Sequence, residues 1–309
     1  MNSSATTVSR SPAPNGNGDQ SSGPEIPFNR KNRNVYVSIN GRMIHRRRAR
    51  ISPFDAAVQA GDGVWEEMRL YEGHVYKLVD HINRLRYGAE QLGFKEIPSR
   101  PWLIGQVKRA LLDNNMYDGV HIHLVMTRGI KVTAGTDPVL NKYGPTILII
   151  CEYKNAAEYA LPVKLMVSPY KRVPAECCDP EIRHTGLVPN LLARMDAQRK
   201  GADDALLLDA SDKVTEATTS AFFYVKGGNV YVAPKAAGAE AMCRQGVIDL
   251  CKQLEIKCEE KTFSVKDLAK AEEMFLADTL REITPVIALD GKPVGSGEPG
   301  VITTKIAAH

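Results

Sequence analysis

An arginine and a histidine stand side by side in Glu181-Ile182-Arg183-His184-Thr185-Gly186. Histidine titrates near the working pH, so His184 could act as a general base. Arginine stays protonated at any working pH, so Arg183 can bind or orient an anion but cannot form an ordinary imine. Neighbours on a strand face opposite sides, so only one of the pair is expected to face a given pocket. Arg84, in Asp80-His81-Ile82-Asn83-Arg84-Leu85, is a second cation of interest. A fixed guanidinium fork can hold phosphate bidentately, and it suits an ion pair on a helix surface equally well. Glu216 is followed by Thr218, Thr219 and Ser220. An acid there can serve a site or lie in solvent at a strand end, and hydroxyls of this kind also suit turns. His81 and His123 read as structural or surface residues. Cys177, Cys178 and Cys243 read as small fillers, since no Cys–His relay can be placed.

The elements that must position these groups follow an α/β order. Asn40-Gly41 between Val35–Ile39 and Arg42–Ile44 is a strong hairpin signal, because both turn positions need positive φ. Gly61-Asp62-Gly63 allows a tight bend before the alternating run from Val64 to Tyr71. A strand His74–Leu78 leads to a helix over 81–92, capped by Asp80, with Ile82, Leu85, Ala89 and Leu92 on one stripe. A helix over 101–114 starts with Pro101. Strands are expected over 121–128, 146–153, 163–169, 205–208, 221–226, 229–233, 256–261, 274–277 and 283–289. Helices are expected over 191–200 and 241–254, and Ser264 caps a short one ending at Ala271. Residues 1–30 lack large apolar groups and read as disordered. Residues 31–153 read as a small first domain, 154–160 as a linker and 161–309 as a larger second domain.

The charge balance sets aside some functions. Net charge is +4 over 309 residues, and part of that comes from Arg46-Arg47-Arg48 and Arg50. The rest mixes both signs, so this run reads as a solvated strand edge rather than a nucleic-acid surface. No apolar run approaches the length of a membrane span. The six cysteines match no zinc spacing, and reduced thiols in a cytoplasmic protein are expected.

Ser52-Pro53-Phe54-Asp55 with Gly61-Asp62-Gly63-Val64-Trp65-Glu66, the Asp80–Leu85 segment, and the order of segments from Glu181 to Phe223 resemble the fold type IV pyridoxal-phosphate enzymes. These are branched-chain aminotransferases, D-amino acid aminotransferases and aminodeoxychorismate lyases. The similarity covers roughly residues 35 to 305. It implies an α+β two-domain fold, with an N-terminal α/β sandwich and a C-terminal pseudo-barrel. It implies amino-group transfer between an amino acid of branched-chain type and a 2-oxo acid, with pyridoxal phosphate, in a homodimer. By resemblance Arg84 reaches the cofactor phosphate. Glu216 faces the pyridine nitrogen and keeps the ring an electron sink. Thr218, Cys243 and Thr279 stand at cofactor-binding positions, and Trp65 and Glu67 at the substrate pocket.

Departures accompany the resemblance. Arg183 stands where the family carries its imine-forming lysine. Ala241-Met242-Cys243 replaces the phosphate-cradling Gly-Ile-Thr, and Ala277-Asp278-Thr279 replaces Thr-Gly-Thr. An Asp beside a phosphate is expected to repel it. Glu67 replaces a glycine, which implies a reshaped pocket. These changes leave three expectations open. One is the family reaction, one is a different small-molecule reaction in a pocket of Arg183, His184, Glu67 and Glu216, and one is a non-catalytic binding or assembly role.

Overall fold

The computed structural model describes residues 28–235 and 241–309. The stretch expected to be disordered lies, as far as residue 27, outside the described residues, and Arg30 opens a 3-10 turn that ends at Asn34. Strands β1 (Tyr36–Ile39) and β2 (Arg42–His45) form the expected hairpin, with φ of +50° at Asn40 and +77° at Gly41. They join β3 (Gly63–Tyr71), β4 (His74–Val75), β5 (Val120–Thr127) and β6 (Thr146–Tyr153). The resulting antiparallel sheet has the order β2-β1-β6-β5-β3-β4. Helix α1 (Ala56–Ala60) precedes β3, and α2 (Leu78–Gln91) and α3 (Arg100–Asp113) follow β4.

Alternation along β3 and β5 divides this sheet into two faces. Val64, Met68 and Leu70 of β3 and Ile122, Leu124 and Met126 of β5 form a core with Ile82, Leu85 and Ala89 of α2 and Leu103, Val107 and Leu111 of α3. Trp65, Glu67, Arg69, His121 and His123 lie at the alternate positions, so the opposite face is the polar one.

The second half contributes α4 (Ala156–Tyr159), β7 (Val163–Lys171), α5 (Val188–Arg199), β8 (Asp204–Leu208), β9 (Val214–Ala217), β10 (Ala221–Lys226) and β11 (Asn229–Val232). It continues with α6 (Ala241–Gln253), β12 (Cys258–Glu260), α7 (Val265–Leu268), β13 (Glu273–Asp278), β14 (Glu282–Leu289), β15 (Lys292–Pro293) and α8 (Val301–Ala307). The strand order is β12-β11-β10-β13-β14-β7-β8-β9, and β9 returns to pair with β10 through Ala221↔Glu216. That pairing closes the sheet into the expected pseudo-barrel and sets Glu216 at the closure. Leu165, Leu206, Phe222, Tyr224 and Leu276 are buried in one core. Phe223, Val225 and Phe275, on the alternate face, pack with Val247 of α6 and Ile306 of α8. Ala193 and Ala197 let α5 lie against Ala205 and Leu207 of β8.

Several local expectations change. Helix α2 starts at Leu78, with Lys77 at φ +46° as its N-cap, so Asp80 lies inside the first turn and β4 shortens to two residues. Strand β12 is confined to Cys258–Glu260, where it pairs with β11, and α7 ends at Leu268. The stretch 154–160, expected as a linker, includes α4. Of the arginine run, Arg46 is engaged by Glu152 and the Asn32 carbonyl, whereas Arg47, Arg48 and Arg50 are exposed at the surface.

The Ser-Pro-Phe-Asp motif gains a structural explanation. Asp55 is fully buried, caps α1 by accepting from Ala57 N at 3.0 Å, and accepts from Thr127 Oγ1 at 3.0 Å. Losing a cap and a buried hydrogen bond costs about 2 kcal/mol. Asp55→Ala is therefore expected to lower the urea midpoint by that equivalent, with the slope unchanged.

Candidate functional site

The site forms where the second half of the chain crosses to the edge of β3. Strand β4 pairs only with Leu70 and Tyr71, which leaves the start of β3 to another partner. Residues 183–185 take that place. Trp65 N donates to Arg183 O at 2.9 Å, Thr185 N donates to Gly63 O at 2.8 Å, and Val64 bridges His184. Gly63 permits the approach, since a Cβ there would meet Met126 O and the Thr185 side chain at 3.2 Å. Pro189 then stands in the first turn of α5, and Asn190 Nδ2 donates to Thr218 O at 2.6 Å. A cleft opens between β3, this crossing segment and the barrel closure. Arg183, His184, Glu216, Thr218 and Trp65 line it together, and Arg172 joins them.

Both Arg183 and His184 line the cleft, contrary to the alternation expected of a strand. The segment makes only one bridge and turns at Thr185-Gly186, so it never becomes a regular strand. The general-base expectation for His184 also changes. Its Nδ1 accepts from Gly186 N–H at 3.1 Å, so the neutral ring carries its proton on Nε2 and presents a donor. Burial and the Arg172 charge push its pKa below the usual value, which keeps the ring neutral at pH 7.

Arg183 is buried and held on two sides. Its guanidinium carbon lies 3.7 Å from the Trp65 ring centroid, and its Nη2 lies 3.5 Å from Glu67 Oε2. Trp65 is fixed in turn by its Nε1 donating to His184 O at 3.0 Å and by stacking on His123 at 5.5 Å. Cation–π contacts of this type contribute about 0.5–2 kcal/mol. Glu67 touches His121 Nε2 at 3.3 Å and His123 Nδ1 at 3.7 Å. Burial would raise its pKa, but His121, His123 and Arg183 outweigh burial and hold the carboxyl well below the usual range. Burial lowers the His121 pKa. At pH 7 the cluster is thus an anionic Glu67, a neutral His121 and a cationic Arg183.

Arg84 lies behind β3, on the helix side of the sheet, and does not line the cleft. Its Nε and Nη2 donate to Glu66 Oε1 and Oε2 at 2.5 and 2.7 Å, and His81 Nδ1 donates to Oε2 at 2.7 Å. The surface ion pair considered for Arg84 is therefore a buried one, and His81 serves the same carboxylate. Burial alone would raise the Glu66 pKa; Arg84, His81 and Arg183 together bring it down to about 2.

Glu216 is ion-paired with Arg172, a residue no motif marked. Thr218 Oγ1 is committed to Asp204 Oδ1 at 2.5 Å. Cys243 and Thr279 meet each other at 3.5 Å and lie off the cleft. Asp278, the departure expected to repel phosphate, is ion-paired with Arg281 at 2.8 Å and so occupies that cation. The roles of His121 and His123 beside Glu67 were not marked by any motif either. Antiparallel register gives them away, since Glu67 sits opposite His123 and Arg69 opposite His121.

The family pattern described as "Amino-transferase class IV" matches residues 63–289. "Branched-chain-amino-acid aminotransferase-like protein 2" of Arabidopsis thaliana is 31% identical over 284 residues, covering 92% of this chain and 51% of that protein. The chain thus spans about half the length of that relative and of its companion, "protein 1". The "Putative branched-chain-amino-acid aminotransferase" of Methanocaldococcus jannaschii is 32% identical over 272 residues, covering 87% and 93% of the two chains. The solved structure of the branched-chain amino acid aminotransferase from Escherichia coli superposes with a TM-score of 0.81 at 26% identity, covering 89% and 92%. The fold is that of the fold type IV branched-chain aminotransferases, and the chain belongs to the class IV aminotransferase family.

Proposed function

We propose that this family member binds small amino acids or 2-oxo acids of the branched-chain type in the cleft and holds their carboxylate on Arg183. The observation that carries this reading is the fixed Arg183 guanidinium, stacked on Trp65 and steadied by Glu67, on the cleft wall. A pre-oriented fork recognises a carboxylate bidentately at little ordering cost. The Nε2–H of His184 supplies a neutral donor nearby. Val173, Ile182 and Leu187 give the cleft apolar surface for an aliphatic side chain. The Arg172–Glu216 pair closes the other side.

The second reading is the family reaction itself, with pyridoxal phosphate. Bound in such a fold, that group serves as an electron sink for the bond cleavage at the substrate α-carbon. The residues present do not fit it. No lysine is among the described residues lining the cleft. Glu216, the carboxylate for the ring nitrogen, is taken by Arg172, and Arg84, the phosphate ligand by resemblance, is taken by Glu66. No catalytic step is therefore routed through it, and the binding reading is favoured.

The reading includes two domains, 31–153 and 161–309, each built on its own sheet. It also includes a homodimer in the cytoplasm, with no nucleic acid or membrane partner. In support of the homodimer, Val188, Leu191, Leu192 and Met195 form an exposed apolar stripe along α5. Among the described residues no helix is long and apolar enough to cross a membrane.

Calorimetric titration of the purified chain with the 2-oxo acid of leucine, without added cofactor, tests the proposal. Saturable one-to-one binding is expected, and its absence at millimolar ligand would contradict the reading.

A further inference from the structure

The turn joining β13 to β14 is an anion receptor whose anion belongs to the chain. Asp278 Oδ1 accepts from the backbone N–H groups of Leu280 and Arg281 at 2.9 and 2.7 Å. Its Oδ2 accepts from Arg281 Nε at 2.8 Å and from Ser220 Oγ at 2.7 Å. Arg281 Nη2 also donates to Ser220 Oγ at 2.6 Å and reaches Asp204 Oδ2 at 3.5 Å. Two converging backbone N–H groups, a hydroxyl and a buried guanidinium are the usual parts of a phosphate or sulfate site. The turn adjoins the barrel closure, since Ala221 of β10 pairs with Ala277 on one side and with Glu216 on the other.

Asp278 satisfies this receptor in both geometry and charge. Its two oxygens take four donors, and its charge opposes that of Arg281. An incoming phosphate would have to displace a buried carboxylate or share the turn with it. Sharing places like charges within a few ångströms in a desolvated setting, which is unfavourable. We infer that Asp278 is a built-in anion that keeps this turn closed to phosphate and to phosphate-bearing ligands. The barrel rim thereby rejects the class of cofactor that the fold family implies, and it does so independently of what residue 183 does.

Opening the receptor tests the inference. Asp278→Gly removes the anion that fills the turn, leaving Asp204 at 3.5 Å as a more distant carboxylate on Arg281, and Asp278→Asn keeps its volume while removing its charge. Inorganic phosphate and pyridoxal phosphate are each titrated against the full chain and both variants, and melting is followed with increasing phosphate. The wild-type chain is expected to show no saturable phosphate binding and a melting temperature indifferent to phosphate. Asp278→Gly is expected to bind both probes at least tenfold more tightly than wild type, and its melting temperature rises with phosphate as ligand linkage requires. Asp278→Asn falls between the two. A folded Asp278→Gly with no gain overturns the inference, as does saturable phosphate binding by the wild type that the variant leaves unaltered. Should both variants be unfolded in phosphate-free buffer, phosphate must restore folding, and failure to do so also overturns it. Titration with the 2-oxo acid separates this outcome from the Arg183 reading, because loss of the Asp278 effect leaves that binding as it was.

Discussion

Arg183→Ala is expected to weaken binding of the 2-oxo acid of leucine by about 2–4 kcal/mol, roughly thirty-fold to several-hundred-fold. The loss has two sources. The charge-assisted bonds to the ligand carboxylate disappear, and the carboxylate must then be desolvated in a cleft that still contains Glu216. R183K keeps the charge but loses the planar fork and its stacking on Trp65, so it recovers only part of the affinity. The alanine leaves Glu67 its contacts with His121 and His123 but removes its cationic partner, so some loss of stability accompanies the loss of affinity. Calorimetry on variants with matched melting temperatures measures the effect. Unchanged affinity in R183A would remove Arg183 from the ligand site.

Glu66→Gln acts on stability rather than on ligand. Glu66 is completely buried and takes three donors from Arg84 and His81. Removing one partner of such a pair leaves a buried guanidinium without its counter-charge, which costs about 3–5 kcal/mol. A pH effect follows from the same group. Its folded pKa of about 2 lies below the ordinary value of 4.5. Its ionisation therefore stabilises the fold in full above pH 4.5, and the benefit is lost as pH falls from 4.5 through 2. Integrated over that window the contribution is about 3 kcal/mol. Urea unfolding of wild type and E66Q across the window reads both effects. The wild type should lose stability steeply there, and the two curves should converge at the acid end. Parallel curves would show that Glu66 is not the group responsible.

What the sequence disclosed was local, and what it concealed was long-range. The Asn40-Gly41 turn was legible because its positive φ values restrict the residue types. Strand β6 was legible because its apolar run is continuous. Strand β9 was not, since Val214–Ala217 is short and gains its burial by pairing with β8 and, at Glu216, with β10. Helix α8 was missed for a related reason. Its N–H groups at Ile302 and Thr303 are capped by Glu273, some thirty residues away, while Gly300 at the N-cap offers no side chain. At the site, motifs pointed to Arg84, Glu216 and Arg183, and the cleft unites the last two. Motifs could not show that Arg84 turns to Glu66, or that Arg172 reaches Glu216 from the end of β7. Asp62 of the Gly-Asp-Gly motif proves structural, holding Arg128 with two hydrogen bonds at 2.6 and 3.1 Å.

We infer from the resemblance that Arg183, a permanent cation, stands where the family places an imine-forming amine, and that no other amine replaces it. The most direct measurement is to incubate the chain with pyridoxal phosphate, reduce it with borohydride and locate any pyridoxyl group by peptide mass. No lysine is expected to carry the label in one-to-one, saturable yield. A single lysine labelled stoichiometrically, with a matching yellow absorbance before reduction, would contradict the claim.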